Sequence, residues 1–311
     1  MRKLTLLALI ACTTVHAQQV PQYTQYVLNM FAINPAVAGS KDCIDVRLGY
    51  RQQWVGFDGA PVTGWATISG TIGPKRRSFH ANRQGIGAFV QSDATGPLGQ
   101  TTFQLAYAYH LQVDRDVFLS MGMFAGVTQE RLSLGSVNAT NNDDPALMND
   151  NGVLVYPVIT PGIWLYSKTT WAGFSIQQAL GNRIKDLGTD SRLTRHFDLT
   201  LGHRYRVSRD VSAVPSGLMK ISPGSPLALD LGVMMEYKKQ FGLGMSYRNQ
   251  DAVAFMLKVP FLKYFSLGYS YDVTTSNLRF GGANTHEVIL AIYPCPPLDP
   301  SKAIVRCPIF Q

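Results

Sequence analysis

The chain turns back on itself within Tyr50-Arg51-Gln52-Gln53-Trp54-Val55-Gly56-Phe57-Asp58-Gly59-Ala60-Pro61-Val62-Thr63. Before this turn, apolar and polar side chains alternate, so a strand here has one apolar face and one charged face. The apolar set is Ile44, Val46, Leu48, Tyr50 and Trp54, and the other set is Asp45, Arg47, Gly49, Arg51 and Gln53. Glycine and proline at 56–61 supply the turn. Alternation resumes over 62–72, which predicts an amphipathic hairpin.

The residues of this hairpin resemble a segment of the PorP/SprF family, in which a YRxQWxGFxGAPxT-like motif follows the signal peptide. The matching residues are Tyr50, Arg51, Gln53, Trp54, Gly56, Phe57, Gly59, Ala60 and Pro61. A second similar block runs over 18–40 and includes Asn34, Pro35 and Gly39. A third contains His286 and Glu287 and resembles GSHEIxL, although Asn284 and Thr285 occupy the Gly-Ser positions.

This resemblance implies an outer-membrane β-barrel of the type IX secretion system. Proteins of the family serve the export and surface attachment of cargo that carries a C-terminal domain, and some support gliding motility. The implied partners are the cargo C-terminal domain, a peptidoglycan-binding periplasmic lipoprotein, other secretion components and outer-membrane lipid. The resemblance implies no catalysis and no cofactor or metal.

The first 17 residues read as a secretory signal peptide, with a positive start, an apolar stretch and a small-residue cleavage site at Val15-His16-Ala17. A lipoprotein reading also exists, because Leu9-Ile10-Ala11-Cys12 resembles a lipobox. The remaining chain divides into an N-terminal periplasmic or lumenal segment at 18–41, a barrel at 42–293 and a Cys/Pro-rich periplasmic tail at 294–311.

Composition is typical of a barrel rather than of a helical membrane protein or a nucleic-acid binder. After residue 17 there is no run of about twenty apolar residues. Charged residues make up only 15% of the chain, against about 25% in soluble domains. The formal net charge is +8, but the basic residues are scattered, which argues against a nucleic-acid footprint.

Alternating segments predict a single all-β domain, a 14-stranded antiparallel transmembrane barrel that the N-terminal segment plugs or braces. The predicted strands are 42–53, 61–72, 83–92, 100–111, 116–127, 152–166, 170–179, 194–207, 211–222, 226–237, 240–248, 251–259, 263–273 and 285–293. Strands of about 9–11 residues cross a bilayer, and an even number places both termini in the periplasm. Pro215 predicts a bulge or an edge in the ninth strand.

The connections alternate between short and long, as expected for short periplasmic turns and longer outer loops. The long predicted loops are 129–151, 180–193 and 274–284. One periplasmic connection, 73–82, is long and basic, and its Lys75, Arg76 and Arg77 are candidates for docking an acidic partner. A solvated turn is the plainer reading.

Parity along the strands predicts which charges face the lumen. The candidate lumen and partner-binding residues are Arg47, Arg51, His196, Asp198, Arg204, Arg206, Asp230, Glu236, Arg248 and Asp272, with Asp45 beside them. Their signs nearly balance, whereas an ion-selective pore is lined by one sign. The lumen is therefore predicted to be occupied by side chains, the N-terminal segment or a bound tail, and a passive porin is the alternative function.

Other candidate sites have plainer structural readings. His196 and Asp198 share one strand face and form a possible dyad, but the chain has no GxSxG elbow, so an enzyme is not predicted. An Asn/Asp-rich stretch at 141–151 is a weak Ca²⁺ candidate. Trp54, Phe57 and Trp65 near the first turn are candidates for an aromatic contact patch, and an interfacial girdle is the plainer reading.

Three cysteines remain after the signal peptide, which predicts one disulfide and one odd thiol. Cys43 could pair with Cys295 or Cys307 across the barrel seam, or Cys295 could pair with Cys307 within the tail.

Overall fold

A computed structural model describes residues 21–41, 43–72, 82–133, 153–183, 192–238, 240–262, 264–276 and 284–292. The strands form one antiparallel sheet that closes on itself, because the first strand pairs with both the second and the last. The prediction of a 14-stranded antiparallel barrel is confirmed. Among the described residues, no helix is long and apolar enough to cross a membrane.

The fourteen strands run in chain order around the barrel, and each overlaps one predicted strand. They are β1 (Asp45–Val55), β2 (Val62–Ile72), β3 (Arg83–Thr95), β4 (Leu98–Asp114), β5 (Val117–Leu132), β6 (Val153–Tyr166), β7 (Thr170–Gln177), β8 (His196–His203, continued by Tyr205–Arg206), β9 (Val211–Ile221), β10 (Ala228–Tyr237), β11 (Phe241–Arg248), β12 (Ala252–Phe261), β13 (Phe265–Thr274) and β14 (Asn284–Ile292). Strands β4 and β5 extend beyond their predicted ends, so the loop predicted to begin at residue 129 begins later.

The two ends of the barrel differ in their connections. We call one the turn end, where β4–β5, β6–β7, β8–β9, β10–β11 and β12–β13 are joined by short turns, and the opposite one the loop end. Long connections after β5, β7 and β13 lie at the loop end. The prediction that the turn end is periplasmic follows the usual outer-membrane pattern.

Alternation along each strand separates an apolar outer face from a polar inner face. On β1, Leu48 and Tyr50 are exposed on the outside, while Arg47 and Arg51 are only 3% and 1% exposed. A charge on the outer face would cost roughly 2–4 kcal/mol at the bilayer midplane. The charged residues therefore lie inside, where they find partners.

Pro215 lies within β9, and the predicted break in strand structure occurs in the neighbouring strand, β8. Ser216 pairs with Gly202 and Ala213 pairs with Tyr205, while β8 is interrupted at Arg204, which lies between them. Proline has no N–H to donate, so a break in the neighbouring strand beside it costs few backbone hydrogen bonds.

The position of Trp65 contradicts the prediction that this residue belongs to an interfacial girdle. Its side chain is 4% exposed and lies inside the barrel, where its ring occupies the space above Gly49. It also contacts Tyr23 edge-to-face, with ring centroids 4.8 Å apart. Trp65 has the same parity as the inward Thr63 and Thr67, so its direction was readable from the alternation.

The N-terminal segment, residues 21–41, lies within the barrel. It forms a 3-10 turn at Tyr26–Leu28, a one-turn helix α1 at Met30–Ile33 and a second 3-10 turn at Pro35–Val37. All residues from 23 to 41 are buried. Helices this short are not stable alone, so contacts with the barrel wall determine their conformation.

Candidate functional site

The N-terminal segment is attached to the barrel seam through Glu287. This carboxylate is fully buried and accepts two successive backbone N–H groups, from Thr24 at 2.8 Å and from Gln25 at 2.9 Å. The Gln25 side-chain amide also donates to the Glu287 backbone carbonyl at 3.1 Å. A buried carboxylate needs such charge-assisted hydrogen bonds, so the segment and β14 stabilise each other here.

Arg51 completes this attachment from β1. Its guanidinium contacts Glu287 Oε2 at 3.0 Å, Asp272 Oδ2 at 3.1 Å and Thr24 Oγ1 at 2.5 Å. The Thr24 hydroxyl in turn donates to Asp272 Oδ2 at 2.5 Å. Arg51 and Glu287 belong to two of the blocks that resemble the family, and Thr24 belongs to the third, so the structure brings the three blocks together.

Arg248 extends the network along β11. Its guanidinium pairs with Asp230 at 3.2 Å and with Asp251 at 3.0 Å, and it donates to Thr24 Oγ1 at 3.2 Å. A longer contact of 3.6 Å reaches Asp272. The cationic charges of the two arginines are therefore surrounded by carboxylates.

Two further ion-pair groups lie near the turn end. Glu236 on β10 contacts Arg204 at 2.5 Å and Lys258 at 3.0 Å. Asp45, at the start of β1, contacts Lys41 at 2.9 Å and Arg47 at 3.2 Å. The predicted balance of lumen charge thus takes the form of paired side chains, which is a structural role for these residues.

Asn34 fixes the second half of the segment. Its Oδ1 accepts from the Ala36 N–H at 3.0 Å and caps the second 3-10 turn. Its Nδ2 donates to the carbonyls of Ile163 at 2.9 Å and Phe174 at 3.2 Å, on β6 and β7. One side chain therefore both starts the turn and joins it to the wall.

Glycines on the inner wall admit the backbone of the segment. Gly39 adopts a left-handed φ of 73° and approaches Gly85 so closely that a Cβ on Gly39 would lie 2.5 Å from the Gly85 Cα. A Cβ on Gly85 would collide with the Ala38 carbonyl, and one on Gly122 would lie 2.6 Å from the Ala36 Cα. Gly39 belongs to a family-like block, whereas the inward Gly85 and Gly122 were not predicted as site residues, although Gly at inward positions is a known signal of close backbone approach.

Polar wall residues accept or donate further hydrogen bonds to the segment. His110 Nε2 is 2.6 Å from the Ala38 carbonyl oxygen, and the Ser120 hydroxyl donates to the Ala36 carbonyl at 2.7 Å. Tyr23 donates its hydroxyl to Gln91, and burial raises the pKa of the Tyr23 hydroxyl, which keeps it neutral. Hydrogen bonds to the wall therefore hold the segment at several points between Tyr23 and Ala38.

Several predicted site residues lie elsewhere. Arg206 is exposed at the turn end rather than inside, because β8 ends there. Among the described residues, His196 Nε2 has no hydrogen-bond partner, and it is not bonded to Asp198, whose Oδ2 accepts from Gln177 at 3.2 Å. His286 lies beside Tyr269, with Nδ1 2.8 Å from the Tyr269 hydroxyl.

Other predictions fall outside the described residues. These are the signal peptide at 1–17, the basic connection with Lys75, Arg76 and Arg77, the Asn/Asp-rich stretch at 141–151, and Cys295 and Cys307. Disulfide pairing, including that of Cys43, stays a prediction. Within the described part of the chain, no group of three or more His, Cys, Asp or Glu side chains is arranged to hold a metal ion.

The turn motif of the first hairpin has a structural role at the loop end. Gly56 and Gly59 have positive φ angles of 105° and 71°, which favour glycine. The Gly59 carbonyl accepts the N–H of Gly96 at 2.8 Å, which joins this turn to the β3–β4 turn. The family-like residues of this block are thus divided between a turn and the interior network.

A closed antiparallel barrel with an apolar outside and a polar, paired inside is an outer-membrane β-barrel. Residues 15–292 match the family described as "Type IX secretion system membrane protein PorP/SprF", and the chain belongs to that family. The protein is therefore an outer-membrane component of type IX secretion. This family and fold are those of a secretion component, not of a known enzyme class.

Several solved structures are similar to this chain at low sequence identity. The toluene transporter TbuX of Ralstonia pickettii has 11% identity and a TM-score of 0.49, with 87% of this chain and 92% of that chain covered. The toluene transporter TodX of Pseudomonas putida has 11% identity and a TM-score of 0.48, with coverage of 88% and 93%. The CymD monoaromatic hydrocarbon channel has 12% identity and a TM-score of 0.48, with coverage of 87% and 91%. No match is found among curated protein sequences.

Proposed function

We propose that this barrel binds or anchors secreted and surface cargo through the cargo C-terminal domain, and that it couples to a peptidoglycan-binding periplasmic lipoprotein. In a gliding cell, the same complex supports motility. The observation that carries this proposal is the occupied interior: the N-terminal segment is bonded to the wall through Glu287, Arg51 and Asn34. A barrel filled in this way is suited to holding partners at its ends.

The alternative function is a passive porin. An open channel needs a continuous polar path, whereas residues 23–41 are buried within this barrel. The proposal therefore expects little ion conductance from the purified protein in a planar bilayer. A stable conductance of porin size, with no partner recovered, would favour the porin instead.

Partner recovery tests the adaptor function directly. The tagged full-length protein is extracted from its own outer membrane in mild detergent, and co-purifying proteins are identified by mass spectrometry. We expect cargo carrying the family-type C-terminal domain, together with a peptidoglycan-binding lipoprotein. Recovery of the barrel alone would contradict the proposal.

Charge reversal tests whether the basic connection docks the periplasmic partner. Replacing Lys75, Arg76 and Arg77 by Glu should reduce lipoprotein recovery while barrel assembly stays intact. Arg209→Glu is the matched control, because Arg209 is exposed in the short β8–β9 turn at the same end. Unchanged lipoprotein recovery in the triple variant would remove this connection from the docking surface.

A further inference from the structure

Part of the turn end combines exposed aromatic residues with basic residues. Between β8 and β12, four strands have an outward aromatic side chain at this end that is between 48% and 57% exposed, namely Tyr205, Tyr237, Phe241 and Phe261. Leu262, in the β12–β13 turn, is 72% exposed. We call this stretch of the rim, from the end of β8 to the β12–β13 turn, the basic arc.

Three cations of the basic arc form no ion pair with the part of the chain that the structure describes. Arg206 is exposed at the end of β8, Arg209 in the β8–β9 turn and Lys238 in the β10–β11 turn. The two turns are adjacent, because the Lys238 N–H donates to the Asp210 carbonyl at 2.6 Å. Lys238 Nζ also lies 5.2 Å from the centre of the Tyr237 ring. A positive charge therefore lies at the edge of the apolar outer face.

The neighbouring β4–β5 and β6–β7 turns, at the same end, have a different character. Lys168 pairs with Asp116 at 2.7 Å, and the sequence around these two turns has two acidic and two basic residues, Asp114, Arg115, Asp116 and Lys168. The three turns of the basic arc, at 207–210, 238–240 and 262–264, contain four basic residues and one acidic residue in the sequence. The excess of positive charge and the exposed aromatic residues therefore occur together in the basic arc.

We propose that the basic arc binds the headgroups of anionic phospholipids. Its aromatic side chains continue the outward alternation of their strands, so they belong to the surface that lipid covers. Aromatic residues at the end of a membrane-spanning strand lie at the level of the headgroups, where Lys and Arg attract anionic lipids. Guanidinium and ammonium groups donate charge-assisted hydrogen bonds to a phosphodiester, while the ring faces contact the glycerol and the first methylene groups.

The direction of the aromatic side chains favours lipid over an acidic protein as the occupant. A protein that docks from the aqueous side contacts the tips of the turns, whereas Phe241 and Phe261 face sideways, away from the barrel axis. A phospholipid contacts both surfaces at once, because its headgroup lies beside the turns and its acyl chains run along the strands. The basic arc offers both contacts on adjacent strands.

Lipid binding is measured on the barrel purified from its own outer membrane in detergent and stripped of lipid. Phosphatidylglycerol, which is anionic, and phosphatidylcholine, which is neutral overall, are titrated separately, and native mass spectrometry counts the lipids bound to each barrel. Phosphatidylglycerol should bind more tightly by roughly a hundredfold, about fivefold for each of the three cations. Inorganic phosphate at the same concentration should not displace it, because free phosphate makes no contact with the aromatic side chains.

Removing two of the cations tests where the lipid binds. Arg209→Gln combined with Lys238→Asn should weaken phosphatidylglycerol binding by roughly thirtyfold. Asn is chosen because Lys238 has a φ of 50°, which Asn tolerates. Arg115→Gln combined with Lys168→Gln is the matched control, since it removes the same charge from the neighbouring turns at the same end. Phosphatidylglycerol affinity should be unchanged in this control.

Three results would overturn the proposal. Equal affinity for the two lipids would show that the headgroup charge is not recognised. Displacement of phosphatidylglycerol by inorganic phosphate would show that the aromatic side chains contribute nothing. Equal weakening in the two double variants would show that binding follows the net charge of the protein rather than the basic arc. Heat-modifiable migration on gels establishes that each variant is folded before its binding is measured.

Discussion

Arg51 and Glu287 face each other directly across the seam that closes the barrel, in register on β1 and β14, with 3.0 Å between Nη1 and Oε2. Their side chains are 1% and 0% exposed. The same carboxylate also accepts the backbone N–H groups of Thr24 and Gln25. Closure of the barrel and placement of the N-terminal segment therefore depend on one shared ion pair.

Removing Arg51 should strongly destabilise the barrel. Arg51→Met leaves Glu287 and Asp272 without this cation in the interior, and breaking a buried ion pair costs about 3–5 kcal/mol. Urea unfolding in lipid vesicles, followed by heat-modifiable migration on gels, measures the change in the free energy of unfolding.

A surface ion pair provides the comparison for that loss. Lys168 and Asp116 are 2.7 Å apart, with both side chains 48% exposed, and such pairs contribute about 0–1 kcal/mol. Lys168→Met should therefore change stability little. Similar losses in Arg51→Met and Lys168→Met would show that the interior pair has no special role.

Gly85→Ala should loosen the N-terminal segment. The added methyl collides with the Ala38 carbonyl, and overpacking of this kind costs about 1–3 kcal/mol. Lys41, which is 6% exposed, should then become accessible, so that trypsin cleaves after it more rapidly. Ion conductance in planar bilayers should rise in parallel.

Gly64→Ala is the control for this substitution. Gly64 lies on β2, and a Cβ there would have no heavy atom within 4 Å. Its trypsin cleavage and conductance should match the wild type. Equal cleavage after Lys41 in both glycine variants would contradict the role assigned to Gly85.

The sequence predicts the barrel wall well because alternation is a local property. Leu48 and Arg51 face opposite sides for a reason that is visible within four residues. The interior network is different, since Thr24 and Glu287 are 263 residues apart and no spacing rule joins them. Only the resemblance singled out Arg51 and Glu287 together. An inward glycine at position 85 signals close backbone approach, but the identity of its partner, Ala38, depends on three-dimensional packing and could not be read from the sequence.

The alternation of side chains along β2 places Trp65 inside the barrel. The enrichment of Trp at membrane interfaces predicts the opposite position. Because Trp65 packs on Tyr23 and over Gly49, Trp65→Ala should leave a cavity. Large aromatic truncations of this kind cost about 3–5 kcal/mol. Urea midpoints of the refolded variant measure this loss. A stability equal to that of the wild type would contradict the packing role assigned to Trp65.

Lys41 should make stability depend on pH. Burial lowers the pKa of its ammonium from 10.5 to about 7, although Asp45 beside it acts in the opposite direction. Between these two values the unfolded chain holds more protons on Lys41 than the folded chain, so stability rises with pH there. Below about pH 7 the residue is protonated in both states and contributes no slope.

Comparison with Lys41→Met isolates this contribution, because the other titrating groups are common to both proteins. Urea unfolding curves are measured from pH 6 to pH 10. Above pH 7, the free energy of unfolding of the wild type should rise relative to that of the variant by roughly 1 kcal/mol per pH unit. The Asp45–Arg47 contact of 3.2 Å is available in both proteins, which keeps the carboxylate paired. Parallel curves over the whole range would mean that Lys41 keeps its ordinary pKa and that water reaches the turn end of the segment.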